Sequence, residues 1–374
     1  MNPFSFGNPV SDEYYLPRPE LNSLVRTYLD NRIHVVLMGP RRFGKTSFVQ
    51  NLLRGFEDTH VCLFMDIFNI TSHRDFLQQT LRALRAQSTW GQRFKEWAET
   101  IPHLRPRIGW DVSESGQYSF SLSADISDDR DVKETIQDVL SGISSLGERV
   151  VFVIDEFQQM AELDDNGWLE ATLRTKMQQL GNTVFLFTGS RQSLIHDMLN
   201  DQARPFYRSC QQLDFPVFGD EFIDWIIERF ASVDVECDRD AVIFLRDEVQ
   251  NTPNYIQMAC FHLVAQGERY IGMGEVKKVL NTIVGQNSYA YQTLLGSLTL
   301  MQQRILRLAA IEREQIFLKE NLDKYEVTSG AALASAINAL KNKYILDEGS
   351  GKGRVIFDDP LFAIWLRKEF SSDI

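Results

Sequence analysis

The segment Gly39-Pro-Arg-Arg-Phe-Gly44-Lys45-Thr46 sets two glycines, a lysine and a hydroxyl at the spacing G-x-x-x-x-G-K-[ST]. Such a segment wraps phosphate. Gly39 and Gly44 let the backbone curl so that its N–H groups point inward at phosphate oxygens, and the start of the following helix adds partial positive charge. Pro40, Arg41, Arg42 and Phe43 make up the rest of the cradle, with Ser47 beside it. Lys45 is placed to reach the β- and γ-phosphates of ATP, and the Thr46 hydroxyl to complete the shell of Mg²⁺. An apolar strand at Val35–Met38 precedes the loop and a helix follows, which is the context this motif requires.

A second group of acidic residues ends another apolar run, Val150-Val-Phe-Val-Ile-Asp155-Glu156. Asp155 at such a strand end can hold a water on the metal, and Glu156 can polarise an attacking water as general base. The run Val184-Phe-Leu-Phe-Thr188 leads into Gly189-Ser190-Arg191. Here Thr188 or Ser190 is placed to orient the water, and Arg191 to sense the γ-phosphate.

These groups need a scaffold of parallel strands. Short apolar runs alternate with amphipathic stretches over the first two-thirds of the chain, the pattern of a parallel sheet with crossover helices. Strands are expected at Val35–Met38, Val61–Met65, Val150–Ile154, Val184–Thr188 and Cys210–Phe215. A helix starts near Lys45 with Phe48, Val49, Leu52 and Leu53 on one face, and another spans Asp75–Ala86. Residues 107–112 and 117–122 alternate with period two around a turn, predicting a β-hairpin inserted at about 106–123. After Pro216 the chain turns helical. From about Ser288, helices at Thr299–Ile311 and Ser329–Lys341 precede Tyr344-Ile-Leu-Asp, a Gly-Ser-Gly-Lys-Gly turn and Arg354-Val-Ile-Phe, which spells a winged helix.

The 374 residues suit two or three domains, and the net charge of −12 argues against a surface coated in phosphate-binding residues. Cys62, Cys210, Cys237 and Cys260 lie far apart and are expected as small buried hydrophobes in a reducing compartment. The histidines are scattered, so no metal site of protein ligands alone is expected. The N-terminus has neither a basic start nor an apolar run, and the longest apolar stretches are strand length. A cytoplasmic protein without a membrane partner is the expectation.

Gly-Pro-Arg-Arg-Phe-Gly-Lys-Thr-Ser, Val-Ile-Asp-Glu-Phe-Gln and Phe-Thr-Gly-Ser-Arg together resemble the archaeal-type ATPases. These belong to the signal-transduction ATPases with numerous domains, close to the AAA+ proteins. The ending Phe357-Asp-Asp-Pro360-Leu-Phe-Ala-Ile-Trp365-Leu-Arg is similar to that family's Asp-Pro-Leu-Phe-x-x-Trp-Leu-Arg. The resemblance implies an α/β core at 1–215 with a parallel sheet ordered 5-1-4-3-2, a helical lid at 216–287 and a winged helix at 288–374. It makes Arg18, with Glu20 and Leu21, the entry segment near the adenine, although Pro17 stands where glycine is usual. It makes Arg208 of Pro205-Phe-Tyr-Arg208 a phosphate contact, and places Pro253 of the Pro-Tyr-x-x-Gln lid helix near the base. Many relatives carry a C-terminal nuclease-like domain, and none is expected within these 374 residues.

Two uses of ATP compete. One is a switch that engages a protein partner, with ATP and ADP stabilising different arrangements and slow hydrolysis as reset. The other is an ATPase acting on DNA through the winged helix. Leu333, Ile337 and Leu340 must face the core, leaving Ala332, Ser335, Ala336, Asn338, Ala339 and Lys341 as a weakly charged remainder. Residues 288–374 hold 11 Lys and Arg against 11 Asp and Glu. Phosphate neutralisation dominates non-specific DNA affinity, so this balance favours the protein-binding switch over DNA, with Lys352 and Arg354 as hairpin exceptions. A small-molecule kinase fits less well, because no second substrate pocket is legible. Self-association, with Arg204 or Arg208 acting in trans, is consistent with the sequence.

Overall fold

The computed structural model describes residues 1–86, 91–101, 108–112, 118–122, 128–146, 148–163, 167–313, 316–327, 329–348 and 355–370. Its contacts divide the chain into two units. The sheet unit comprises residues 17–40 and 45–216; the helical unit comprises residues 1–16, 41–44 and 217–374.

In the sheet unit, β1 (Val35–Met38), β2 (Val61–Asp66), β3 (Val150–Asp155), β4 (Thr183–Gly189) and β5 (Gln211–Asp214) form a parallel sheet in the order β2-β3-β4-β1-β5. That is the expected 5-1-4-3-2 read from the other edge. β1, β3 and β4 are buried along their whole length, as their unbroken apolar runs require of strands covered on both faces. The edge strand β5, with its two glutamines, is partly exposed. The register pairs Asp66 with Asp155 and Met38 with Gly189, so the carboxyl ends of β1 to β4 finish side by side.

Amphipathic helices cover the sheet. Lys45–Arg54 buries Phe48, Val49, Leu52 and Leu53, and His73–Arg85 buries Phe76, Leu77, Leu81 and Leu84 behind an N-cap in which Ser72 accepts from the Asp75 N–H. Ile108–Val112 and Tyr118–Leu122 pair antiparallel as the expected hairpin; the residues at its turn, and Arg107, lie outside the described ones.

The helical unit holds the segments expected as lid and winged helix on one continuous core. Helices Asp220–Ala231, Arg239–Glu248, Pro253–Ala265 and Met273–Gln286 pack with Leu300–Glu312, Gly330–Asn342 and Pro360–Phe370. Leu346–Glu348 pairs antiparallel with Val355–Phe357, and the Gly-rich tip between them, with Lys352 and Arg354, lies outside the described residues. Leu333, Ile337 and Leu340 are buried as expected. Ala336, assigned to the outer face, is buried too, because it sits three residues after Leu333 on the same face. Glu248, at the end of its helix, pairs with Arg313 and Arg367 at 2.6 Å each. Burial raises its carboxyl pKa, but Arg367 and Arg313 more than offset this and hold it below the ordinary value.

The N-terminus differs from a core running unbroken from residue 1 to 215. Phe4 is 1% exposed, its ring 4.7 Å from that of Phe230, and Asn2 donates to the Phe261 carbonyl. Residues 1–16 therefore belong with residues 217–374. Among the described residues, no helix is long and apolar enough to cross a membrane. All four cysteines are free. Burial pushes the thiols of Cys62, Cys210 and Cys237 up to about 12, which keeps them protonated and unreactive.

Candidate nucleotide-binding site

Gly39 follows β1 directly, and its N–H donates to the Gly189 carbonyl at 3.2 Å. A Cβ here would stand 2.7 Å from Cβ of Phe215, so only glycine allows this approach. Arg18 reaches the same place, its guanidinium 4.3 Å from the Phe215 ring centroid. Gly44 has φ +92°, the left-handed turn that opens the helix at Lys45. Lys45 is 5% exposed, and its ammonium donates to the carbonyls of Gly39 at 2.7 Å and Pro40 at 2.8 Å. It is thus curled over the loop, with phosphate as its natural alternative acceptor. Ser47 is buried in the first turn of the helix.

Residues 41–44 find their neighbours in the helical unit. Arg42, at φ +64°, lies over the Tyr255 ring and donates to the Tyr255 hydroxyl, and its carbonyl accepts from the Asn254 N–H at 3.4 Å. The Arg42 side chain also reaches the Asp358 carbonyl at 3.4 Å. Arg41 lies 4.9 Å over the Tyr344 ring, and Phe43 is buried. Pro253, buried, is the first residue of the helix that carries Asn254 and Tyr255.

The two expected metal ligands meet in the sheet unit. Thr46 Oγ1 donates to Asp155 Oδ2 at 2.7 Å, and Asp155 is 3% exposed at the end of β3. Its Oδ1 accepts from Thr188 and from the Glu156 N–H at 3.0 Å. Hard oxygen donors on a nearly buried carboxylate suit Mg²⁺, which binds through one or two carboxylates plus substrate phosphates. Thr46 and Asp155 therefore fit the metal. Thr188, read as one way to orient water, instead fixes Asp155.

Glu156 turns out of the strand at φ +57°, a conformation that costs a non-glycine residue free energy and is typical of functional positions. Its Oε2 accepts from Ser190 Oγ at 2.8 Å and from Gln158 Nε2. Ser190 thus reaches the acid expected to be the base.

Other candidates sit differently. Arg191 directly precedes the helix Gln192–Asn200, makes no side-chain cap to it, and pairs with Glu162. Arg208, at φ +49°, is exposed with its guanidinium over the neighbouring Tyr207 ring. Among the described residues it contacts neither the loop nor Asp155. Arg204 pairs at 2.5 Å with Glu170, which is 2% exposed, so its charge is already committed within the chain.

Two residues were missed from the sequence. Gln158 is one, although it follows directly in Asp-Glu-Phe-Gln. Asp66 is the other. It ends β2 beside Asp155, and partial desolvation first, then the charges of Asp155 and Glu156, raise its carboxyl pKa against the lowering pull of the Phe68 N–H. Its signal was the apolar run ending in Met-Asp, the same form as Ile154-Asp155.

Residues 29–196 match the family described as AAA domain, and residues 289–368 match the family described as Probable winged helix domain. No curated protein matches the sequence. Among solved structures, the Walker-type ATPase of Pyrococcus abyssi is similar at 18% identity, covering 95% of this chain and 97% of its own, with a TM-score of 0.65. The ORC2 protein of Aeropyrum pernix, solved as ADPNP–ADP complexes, is similar at 14% identity, covering 96% and 98%, with a TM-score of 0.52. At these identities the likeness speaks for the fold. Sequence matches, sheet order and loop geometry agree: this chain joins an AAA-type P-loop ATPase domain to a C-terminal winged helix domain.

Proposed function

We propose that this protein binds ATP with Mg²⁺, hydrolyses it slowly to ADP and phosphate, and uses the nucleotide to switch a surface presented to a protein partner. The observation that carries the hydrolytic reading is the convergence of Thr46, Asp155 and Glu156 at the ends of the loop helix and β3. Lys45 exchanges the Gly39 and Pro40 carbonyls for phosphate oxygens. Thr46 and Asp155 would hold Mg²⁺, which when bound neutralises charge on the β- and γ-phosphates. Glu156 takes a proton from water as the water oxygen attacks the γ-phosphorus and the bond to the β–γ bridging oxygen breaks. Ser190 keeps Glu156 in place.

The switch reading is supported by where the middle of the loop is held. Arg41 and Arg42 are chain neighbours of Pro40 and Lys45, yet their partners are Asn254 and Tyr255 of the lid segment and Tyr344 and Asp358 of the winged helix. A change in the backbone of the loop on phosphate binding is therefore a change for those residues as well. A protein partner is favoured over DNA by the even charge of residues 288–374. Cytoplasmic location and self-association belong to the same reading.

The test is limited proteolysis of the Glu156→Gln protein with ATP and with ADP, each with and without double-stranded DNA. Cleavage patterns that differ between ATP and ADP and ignore DNA support the switch. Patterns blind to nucleotide, or protected only by DNA, count against it.

A further inference from the structure

We propose that Gln158 is a positioning residue for hydrolysis, which together with Ser190 holds one oxygen of the Glu156 carboxylate and leaves the other to receive the proton of water. This rests on the reading of Glu156 as general base.

Gln158 is fully buried in the turn after β3. Its Nε2 donates to Oε2 of Glu156 and lies 3.5 Å from Ser190 Oγ, while Ser190, 2% exposed, donates to the same Oε2 at 2.8 Å. Two donors from two strand ends therefore converge on one carboxylate oxygen. Among the described residues, no donor reaches the other oxygen, Oε1. A glutamate side chain turns about three bonds, and two bonds to a single oxygen remove most of that freedom while leaving an acceptor open.

The far end of the amide points to the same role. Gln158 Oε1 is buried without a hydrogen-bond partner. It presses on Gly189, where a Cβ would collide with this oxygen and with Cδ1 of Ile195. An unmatched buried carbonyl is a cost to the fold, and an apolar side chain of the same shape would avoid it. Turning the amide over would set its carbonyl against the carboxylate, so the amide orientation follows from the Glu156 contact. The position therefore keeps a costly amide, in a pocket that only glycine at 189 allows, for the sake of its N–H donor.

The test is a kinetic cycle on the full chain with Mg·ATP, with ADP affinity and thermal midpoint measured in parallel. Gln158→Leu keeps the shape and removes the donor. It is expected to lower kcat about tenfold or more, a share of the roughly 10²–10⁴ that a general base contributes, with KM and ADP affinity within about twofold of wild type. In the Glu156→Gln background the same change should cost nothing more, because Gln158 acts through Glu156. Ser190→Ala should repeat the pattern, and it carries the test should Gln158→Leu fail to fold. A kcat unchanged in both variants while Glu156→Gln is inactive would overturn the proposal and leave the base reading intact. Additive losses in the Glu156→Gln background would also overturn it, by showing a role outside Glu156. Wild-type turnover in Glu156→Gln itself would remove the base reading, and this proposal with it.

Discussion

The Thr46 hydroxyl donates to Oδ2 of Asp155 at 2.7 Å, joining the first turn of the loop helix to the end of β3 across 109 residues of sequence. Thr188 and the Glu156 N–H occupy the other oxygen. Asp155 is thus already a structural hub before it meets a cation. Asp155→Ala strips three donors of their acceptor in a nearly buried place and should destabilise the nucleotide-free protein by about 3 kcal/mol. Asp155→Asn keeps one oxygen and should cost less. Urea unfolding without Mg²⁺ reads both, and a neutral Asp155→Ala would deny the hub.

Lys45 donates to the Gly39 and Pro40 carbonyls of its own loop, neutral acceptors that water can replace. Lys45→Met should therefore leave stability within about 1 kcal/mol while weakening ATP binding about thirtyfold or more, the loss of a charge-assisted contact to phosphate. A titration with fluorescent ATP analogue, alongside the thermal midpoint, separates the two effects. Equal losses in both would mean that the lysine is structural.

Asp66 carries a carboxyl whose pKa is raised above its ordinary 3.8. A raised folded pKa means that the native state binds this proton more tightly than the unfolded chain, so the ionised form works against folding at neutral pH. Asp66→Asn retains an acceptor for the Phe68 N–H and should stabilise the protein at pH 7 without Mg²⁺. The gain should be only about 0.5 kcal/mol, because Asp66 keeps much of its surface in water, which weakens both the desolvation and the repulsion from Asp155 and Glu156. Going down through pH 4 the advantage over wild type should fade, as wild-type Asp66 takes up its proton.

How much of this was legible from sequence follows from where each contact comes from. The loop at 39–46, the acidic end of β3 and the sheet order could be read because glycine spacing, apolar run length and strand-end acids encode local backbone geometry. Phe4 could not. Its partners Trp225 and Phe230 are distant in sequence, and a lone aromatic near a terminus carries no periodic signal. Ala336 was misplaced because a small residue suits either face of a helix. Arg191, Arg204 and Arg208 looked alike as cations after a strand, and only the fold shows which carboxylates claim the first two. Gln158 was in view in Asp-Glu-Phe-Gln, but its role depends on a left-handed turn at Glu156 that no residue type announces.

Glu248 offers the converse of Asp66. Arg367 and Arg313 hold its folded pKa below the ordinary 4.5 despite burial. Its contribution is therefore present above the unfolded value and is lost as pH falls through the folded one. Unfolding free energies of wild type and Glu248→Gln from urea titrations should differ by about 1 kcal/mol at pH 6 and converge toward pH 3. A constant gap would assign the effect to packing.

Hydrolysis at Glu156 is read out by steady-state ATP turnover of wild type and Glu156→Gln, with and without double-stranded DNA. Turnover should be slow, unchanged by DNA, and lower by about a hundredfold or more in the mutant, which still binds ATP. Turnover that survives in Glu156→Gln would contradict the assigned chemistry, and turnover raised several-fold by DNA would replace the switch with a DNA-dependent machine.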